Sequence, residues 1–352
     1  MLLRRWLAPF LLLLFAVSPA TLADIKGKPC SPPQIPKSGG FAVKPDVYHG
    51  WSGSLTMGNG LVEVTIVPAI GRVMQFCLKG EKECPFFENR ALDGKPPDPN
   101  ASEWVNFGGD KTWPAPQDDW PKLTPRKWPP PPTFDSVPLK YELKNPTFSK
   151  SSMVPFGATA EAIELISPVD PHYGIQTRRI ITLEPGHPVM SIRTIYEKVQ
   201  GDPVKVGVWV ITQLSEPKKA GMILPATSQY PQGYNKQMEV LPKDLKREGR
   251  FVSLTRGSKN PAKIGSDAGT LVWMNKKFYV QIDSSREAGA EYPDQGSSAE
   301  IYTNPDPLKY VELETLGPLH TMKVGDTIER TNRYTLLRRK EGEKRLEELL
   351  NR

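Results

Sequence analysis

The sequence predicts an all-β protein in which two large antiparallel sheets are stacked on each other. Short runs of alternating apolar and polar residues, or of β-branched residues, recur along the chain, and Gly, Pro, Asp or Asn bounds each run. No amphipathic helices separate these runs, which disfavours a parallel α/β fold. A chain of 352 residues is long enough for a large sandwich of this kind.

The predicted strands follow one another over most of the chain. Their sequences are LVEVTIVP, GRVMQFCL, ATAEAIELIS, TRRIITLEPG, VMSIRTIYEKV, VKVGVWVITQL, GTLVWMNKKFYVQID and YVELETL. A helix is expected only at the end, in KEGEKRLEELLNR, where Leu346, Leu349 and Leu350 share one face. We expect this helix to dock on the sandwich.

The chain divides into four predicted parts. Residues 1–23 have the basic start, apolar run and small-residue cleavage position of a secretory signal peptide. We therefore expect a periplasmic or secreted protein that is not inserted in a membrane after cleavage. Residues 24–52 are predicted to be an extended segment, 53–338 the sandwich domain and 339–352 the helix. Within the sandwich, the proline-rich residues 110–138 are predicted to form a long loop over one end.

Charge and cysteine content narrow the classes of function. The formal net charge is +7, without a basic cluster beyond the C-terminal RRKEGEKR, so nucleic-acid binding is not expected. Cys77 and Cys84 flank a short hairpin-like segment and are expected to form a disulfide, which leaves Cys30 unpaired. No set of His, Cys or carboxylate residues has the spacing of a metal site, and no cofactor is expected.

The segment NFGGDKTWPAPQDDW, residues 106–120, is the least generic part of the chain. Its glycines and prolines suit neither helix nor strand, so it is predicted to be a loop. Trp113, held in place by the following Pro114 and Pro116, suits the apolar face of a sugar ring, and Asp110, Lys111 and Gln117 suit its hydroxyl groups. The alternative is a tryptophan that closes the end of a sandwich beside solvated charges.

Several segments together resemble a family of uncharacterised secreted proteins related to galactose mutarotase. They are VEVTIVPAIGRVMQF, NFGGDKTWPAPQ, VWVITQL and YVELETLGPLHTMKVGDTIERTNRYTL. The resemblance implies a large antiparallel β-supersandwich whose concave face binds sugars, and a carbohydrate as partner. It places the loop over that face, near Trp209 and Gln213 and near Arg178 or Arg179. Successive strand residues face opposite ways, so only one arginine fits, and Arg178 is preferred.

The resemblance also implies a mechanism. In aldose 1-epimerases a glutamate takes the proton of the anomeric hydroxyl, and a histidine gives a proton to the ring oxygen. The strand VELE places Glu314 at the position of the base, and Glu312 lies on the same face of the strand. The two carboxylates are either a paired acid/base site or an ordinary solvated face. The family's histidine motif has no good copy here, and His172 in SPVDPHYGIQTRR is the nearest candidate for the acid.

Three functions are compatible with these residues. The first is a sugar-active protein with an epimerase-like pocket and Glu314 as general base. The second is a carbohydrate-binding protein that has kept the groove without the chemistry, which the missing histidine motif favours. The third is a structural or partner-binding envelope protein that uses the proline-rich loop as its contact surface. A shared fold does not by itself confer an activity.

Overall fold

A computed structural model describes residues 40–148 and 158–351. All of them belong to one compact unit. The predicted signal peptide and Cys30 lie outside the described residues. Within the described ranges, no helix has the length and apolar character needed to cross a membrane.

The regular structure consists mainly of antiparallel strands. Numbered in chain order, the strands are β1 (Phe41–Tyr48), β2 (Trp51–Gly58), β3 (Val62–Val67), β4 (Arg72–Leu78), β5 (Asp110–Ala115), β6 (Lys140–Lys144), β7 (Thr147–Phe148), β8 (Ala158–Ala160), β9 (Ala162–Val169), β10 (Ile175–Leu183), β11 (Val189–Lys198), β12 (Val204–Ser215), β13 (Lys219–Ile223), β14 (Asn235–Lys236), β15 (Lys243–Glu248), β16 (Phe251–Thr255), β17 (Ala262–Ser266), β18 (Thr270–Met274), β19 (Phe278–Asp283), β20 (Ala299–Thr303), β21 (Tyr310–Leu316), β22 (His320–Met322) and β23 (Thr327–Arg338).

Helices are few and short. They are α1 (Trp120–Leu123), α2 (Pro132–Asp135), α3 (Pro293–Gly296) and α4 (Arg339–Leu350), with 3₁₀ turns at Pro68–Ile70, Arg90–Leu92 and Gln117–Asp119. α3 is a tight turn rather than a regular helix, because Asp294 and Gln295 have φ angles of 51° and 61°.

The strands form two sheets. In the first sheet the order is β14-β17-β20-β21-β12-β5-β4-β3-β2-β1-β8-β7, and β22 also pairs with β12. In the second sheet the order is β15-β16-β13-β18-β19-β23-β11-β10-β9-β6. The prediction of an all-β, antiparallel supersandwich with a short C-terminal helix is confirmed.

The alternation of side chains separates a core face from an outer face on the first sheet. Val43, Met57, Val64 and Phe76 stand opposite one another across β1 to β4 and are at most 2% exposed. They belong to one apolar core with side chains of the second sheet. The residues between them point away from the second sheet, and we call this side the outer face of the first sheet.

Two parts of the chain differ from the predicted boundaries. β1 begins at Phe41, so part of the segment predicted to be extended belongs to the first sheet. Asp110–Ala115 is strand β5 rather than the start of a loop. Pro114 has no N–H to donate to a neighbouring strand, and two features make it tolerable in β5. β5 pairs with β4 at a single position, and the Pro114 carbonyl accepts from Trp120 rather than from a neighbouring strand. The loop excursion is therefore shorter than predicted. Cys77 and Cys84 form the expected disulfide.

A buried ion pair joins the two sheets where β5 begins. The guanidinium group of Arg179 in β10 donates to the side chain of Asp110, and its Nη1 donates to the Asp110 carbonyl at 3.1 Å. The second carboxylate oxygen accepts from Thr212 Oγ1 at 2.6 Å and from Tyr334 Oη at 2.7 Å. Side-chain exposure is 1% for Arg179 and 0% for Asp110. Both oxygens of the carboxylate thus accept hydrogen bonds inside the core.

The C-terminal helix docks as predicted. Leu346 packs with a small apolar cluster that includes Phe251 and Tyr279, and Leu349 and Leu350 lie beside it. Gly342 lies against the Tyr279 side chain, where an added Cβ would be 2.1 Å from the Tyr279 Cβ. The close approach of this helix to β19 therefore requires glycine.

The ion pair yields the first prediction. Asp110→Asn removes the charge that compensates Arg179, and we expect the free energy of unfolding to fall by about 3–5 kcal/mol because a buried guanidinium is left unpaired. Chemical denaturation measures the loss. Glu329→Gln is the control, since it breaks an ion pair with Arg193 that is 46% and 39% exposed and should cost less than about 1 kcal/mol. Equal effects of the two changes would contradict the prediction.

The second prediction concerns α4. Gly342→Ala should lower the free energy of unfolding by about 1–3 kcal/mol, although alanine is the better helix former, because its methyl group collides with Tyr279. Lys344→Ala, at an exposed position of the same helix, serves as the control and should change stability little. A stabilised Gly342→Ala protein would show that the helix can move away from β19 at no cost.

Candidate functional site

The candidate site is a set of polar side chains on the outer face of the first sheet, where β5, β12, β21, β20 and β17 lie side by side. Glu314 stands opposite Glu300 of β20. Glu312 stands opposite Gln213 of β12 on one side and Tyr302 of β20 on the other. The two glutamates of β21 therefore point the same way, and both are buried rather than solvated.

Glu314 is held by two donors on the same carboxylate oxygen. Trp209 Nε1 donates to Oε2 at 2.8 Å, and Lys263 Nζ donates to it at 2.9 Å. Lys263 Nζ also lies 2.6 Å from Glu300 Oε2. Burial alone would lower the pKa of Lys263, but the negative charges of Glu300 and Glu314 outweigh burial and raise it. Lys263 is therefore a cation at all ordinary pH values, and it fixes both carboxylates.

Glu312 has different partners. Gln213 Nε2 donates to its Oε1 at 2.8 Å, and Lys111 Nζ lies 3.4 Å from the same oxygen. Burial raises the pKa of Glu312, the charge of Glu314 adds to the rise, and Lys111 partly offsets it. Burial also lowers the pKa of Lys111. Glu312 is thus easier to protonate than an ordinary glutamate. Glu314, two residues further along β21, instead contacts the charged Lys263.

Acidic groups outnumber basic ones at the site. Glu300 and Asp294 join the two glutamates of β21, and burial raises the pKa of both. The two cations are Lys111 and Lys263. Over the described ranges, no group of three or more His, Cys, Asp or Glu side chains is arranged to hold a metal ion.

Five tryptophans form one cluster beside these groups. Trp113 is its centre, with ring centroids between 5.3 and 5.9 Å from those of four others. The others are Trp104, Trp120, Trp128 and Trp209. The Lys111 ammonium lies 4.9 Å from the ring centroid of Trp113 and 5.1 Å from that of Trp104, which stabilises the buried charge.

Asp135 anchors the cluster. Its carboxylate accepts from Trp113 Nε1 at 2.8 Å and from Trp104 Nε1 at 2.9 Å, and it pairs with Arg72 at 2.7 Å. Both indole donors are thereby satisfied away from water. The short helix α2, which carries Asp135, therefore sets the orientation of the rings beside Lys111.

Trp113 lies at the predicted place but is not an open platform. It is only 4% exposed, because other tryptophans cover its ring. The exposed ring of the cluster is Trp128, at 39%, and Trp104 is half-buried. An incoming sugar would meet these two rings rather than Trp113.

Asp110 and Arg178 do not lie at the site. Asp110 faces the core, where it pairs with Arg179, because it is one residue away from Lys111 on the same strand. Arg178 is on the outer face of the second sheet, paired with Glu164 at 2.6 Å. The expectation that one of the arginines faces the ligand is wrong, since β10 belongs to the second sheet and the first sheet itself lies between β10 and its outer face.

Two other predicted residues are not bonded to the glutamates of β21. His172 is exposed in the turn between β9 and β10, where its backbone N–H donates to Asp170 at 2.9 Å. Gln117 is half-buried in the 3₁₀ turn that follows β5. In the described part of the chain, neither side chain forms a hydrogen bond or ion pair with Glu312 or Glu314. By contrast, five of the predicted residues lie together on the outer face of the first sheet: Lys111, Trp209, Gln213, Glu312 and Glu314.

Several residues of the site are absent from the sequence-based prediction, and three of them hold its charged groups in place. Lys263, Glu300 and Asp135 come from segments without a distinctive motif. For Glu300 there was a signal, because the alternation in AEIYT puts it on the same strand face as Tyr302. No comparable signal exists for Lys263 or Asp135, since their partners are more than twenty residues away in the chain.

Comparison with solved structures defines the class of fold. A predicted aldose 1-epimerase from Klebsiella pneumoniae superposes with a TM-score of 0.55 at 12% identity over 90% of this chain and 88% of its own. A galactose mutarotase-like protein from Lactobacillus casei gives 0.50 at 9% identity over 81% and 100%. The chain thus has the galactose mutarotase-like supersandwich fold.

A third similar structure is a TPR-domain containing protein from Parabacteroides distasonis, with a TM-score of 0.52 and 12% identity over 80% of this chain. The chain spans only 46% of that protein's length. No protein-family model matches the sequence. A search of curated proteins finds no match either. At such identities, the likeness concerns the fold alone.

Proposed function

We propose that the protein is sugar-active and transfers protons at the anomeric centre of an aldose, as an aldose 1-epimerase does, with Glu314 as general base. The observation that carries the proposal is the placement of Glu314. It lies on the outer face of a mutarotase-like sheet, fixed by Trp209 and Lys263, with a second carboxyl group two residues away. The similarity of the fold to an aldose 1-epimerase-like and a galactose mutarotase-like structure supports a sugar as ligand.

Glu312 is the group best suited to act as the acid. Two residues of one strand that face the same way are about 7 Å apart, so their carboxyl groups could flank the anomeric carbon and the ring oxygen. Burial raises the pKa of Glu312, which favours the protonated form that a general acid needs. Glu312 is also the more accessible of the two glutamates, because its side chain is 10% exposed and that of Glu314 is 1% exposed.

The proton transfers balance without a further reactant. Glu314 takes the proton of the anomeric hydroxyl while the bond between the anomeric carbon and the ring oxygen breaks. The ring oxygen takes the proton of Glu312, and the open-chain aldehyde rotates about its neighbouring carbon–carbon bond. On closure from the other face the bond between the ring oxygen and the anomeric carbon forms again, the hydroxyl that becomes the ring oxygen returns its proton to Glu312, and Glu314 gives its proton to the aldehyde oxygen. Both carboxyl groups thereby regain their starting states. Lys263 remains charged throughout and holds Glu314 in position.

We also propose that the protein works outside the cytoplasm. The layout of residues 1–23 is the basis for this, and the Cys77–Cys84 disulfide supports it because such bonds persist in oxidising compartments.

A second function remains a carbohydrate-binding protein without catalysis. The observation in its favour is that, among the described residues, the exposed His172 forms no hydrogen bond or ion pair with Glu314. The envelope-protein hypothesis expects no convergence of polar groups, and the meeting of Lys111, Glu312, Glu314 and Lys263 disfavours it.

The third prediction tests the base. Glu314→Gln keeps the size of the side chain but cannot take a proton, so acceleration of mutarotation should fall by about 100- to 10,000-fold. Polarimetry or NMR exchange with a panel of aldoses measures the rate. Glu329→Gln is the matched control on the second sheet, and its rate should equal that of the native protein. If the native protein binds sugars saturably but accelerates none, the binding function replaces the catalytic one.

The fourth prediction tests the acid through the pH profile. The native rate should decline as pH rises through the raised pKa of Glu312, because the proton donor is lost. Glu312→Gln should be slow and should lack this alkaline limb. The measurement is the mutarotation rate of the native protein and of Glu312→Gln over a pH series, with the aldose that the native protein accelerates most. A variant that keeps both the native rate and the native alkaline limb would exclude Glu312 as the acid.

A further inference from the structure

We propose that the outer face of the first sheet carries a second binding region, for the neighbouring sugars of an uncharged glycan chain whose end lies at Glu314. The region is a trough across β1 to β4, next to the candidate site. The sugar-based nature of the ligand rests on the proposed function. The position, length and charge balance of the trough are independent of it.

The trough consists of two adjoining cavities. Their volumes are about 470 and 460 Å³, and Tyr48 and Thr65 line both. Its floor is a row of polar side chains that strand register places directly opposite one another: Lys44, Thr56, Thr65 and Gln75. The alternate row on the same strands is the apolar core, so this polar row is the outward half of a regular pattern.

The trough adjoins the candidate site. Ser215, which lines it, follows Gln213 on the same face of β12. Phe87, also in its wall, has its ring 4.8 Å from that of Tyr310, which precedes Glu312 on the same face of β21. Five strand spacings separate β12 from β1 in the sheet order, or about 24 Å at the usual spacing. That distance exceeds the length of one sugar ring.

The lining combines rings with fixed hydrogen-bonding groups. Tyr48 Oη donates to Glu88 Oε1 at 2.6 Å. Arg90 Nη2 lies 2.6 Å from His49 Nδ1 and 2.9 Å from Asp93 Oδ2. His49 has a φ of 48° and Gly50 a φ of 92°, because these two residues form the tight turn that joins β1 to β2. Aromatic surface beside oriented polar groups is what sugar recognition requires.

Charge distinguishes an uncharged chain from a polyanion. In one cavity Lys44 and Lys79 are matched by Asp46 and Glu63. In the other, the cations Lys82 and Arg90 are matched by the anions Glu81 and Glu88. Balanced charges attract neither an acidic nor a basic polymer at long range, whereas each can bond hydroxyl groups. The occupant that fits is a neutral polyhydroxylated chain.

The fifth prediction is that affinity grows with chain length. Calorimetric titration would compare a single neutral sugar with linear neutral oligosaccharides of increasing length, chosen from a glycan array probed with the same protein. We expect at least a tenfold gain for the longer chains, about 1.4 kcal/mol. Lys44→Ala and Tyr48→Ala should abolish this gain and leave the mutarotation rate with a single sugar unchanged. Hydrogen exchange should show chain-dependent protection of β1 to β3.

Matched controls lie on the second sheet. Lys140→Ala and Tyr141→Ala remove exposed side chains of β6 and should keep the full gain. Tyr48→Phe keeps the ring if Tyr48→Ala folds poorly, and it should lose part of the gain. Equal affinity for single sugars and chains, or equal losses in the controls, would overturn the proposal. Mutarotation without length dependence would overturn the trough alone, and length dependence without mutarotation would overturn the catalytic function alone.

Discussion

The ion pair between Asp110 and Arg179 is the constraint on which the site depends. It joins the two sheets at the first residue of β5, and two hydroxyl groups complete the coordination of the carboxylate. Because neighbouring strand residues face opposite ways, fixing Asp110 in the core fixes Lys111 on the outer face. Lys111 then meets Glu312, and Trp113 meets Trp209. A slip of one residue in β5 would turn Lys111 into the core and Asp110 to the outer face. Arg179 and Glu312 would then lose their partners, and both sheets would carry unpaired charges.

The outer face concentrates charge that the fold does not fully compensate. Four acidic side chains share two lysines there, and burial raises the pKa of Glu312, Glu300 and Asp294. Such an arrangement costs free energy in the absence of a ligand, and pKa values shifted by burial and by specific charge partners are typical of functional sites. The two glutamates of β21 differ in their charge partners. Glu314 contacts the cation Lys263, whereas Glu312 contacts Lys111, whose pKa is lowered by burial.

β5 and the segment around Phe87 divide the outer face into two halves. On one side the buried carboxylates lie beside the lysines and the tryptophan cluster. On the other, the strands from β4 to β1 present the polar row, which is exposed at Lys44 and buried at Thr65 and Gln75. A buried reactive centre next to a trough suits a reaction at the end of a chain, because binding energy from remote sugars can position the sugar that reacts.

The sequence by itself determined the strand succession, the docking face of the C-terminal helix, the Cys77–Cys84 pair and the common direction of Glu312 and Glu314. These are properties of local periodicity and short spacing. Only the tertiary structure decided that the proline-containing Asp110–Ala115 is a central strand, that Arg179 rather than Arg178 is buried, and that Lys263, Glu300 and Asp135 belong to the site. The order β17-β20-β21-β12-β5 brings together strands far apart in the chain. Local alternation specifies which face a side chain takes, but strand pairing alone specifies its neighbours.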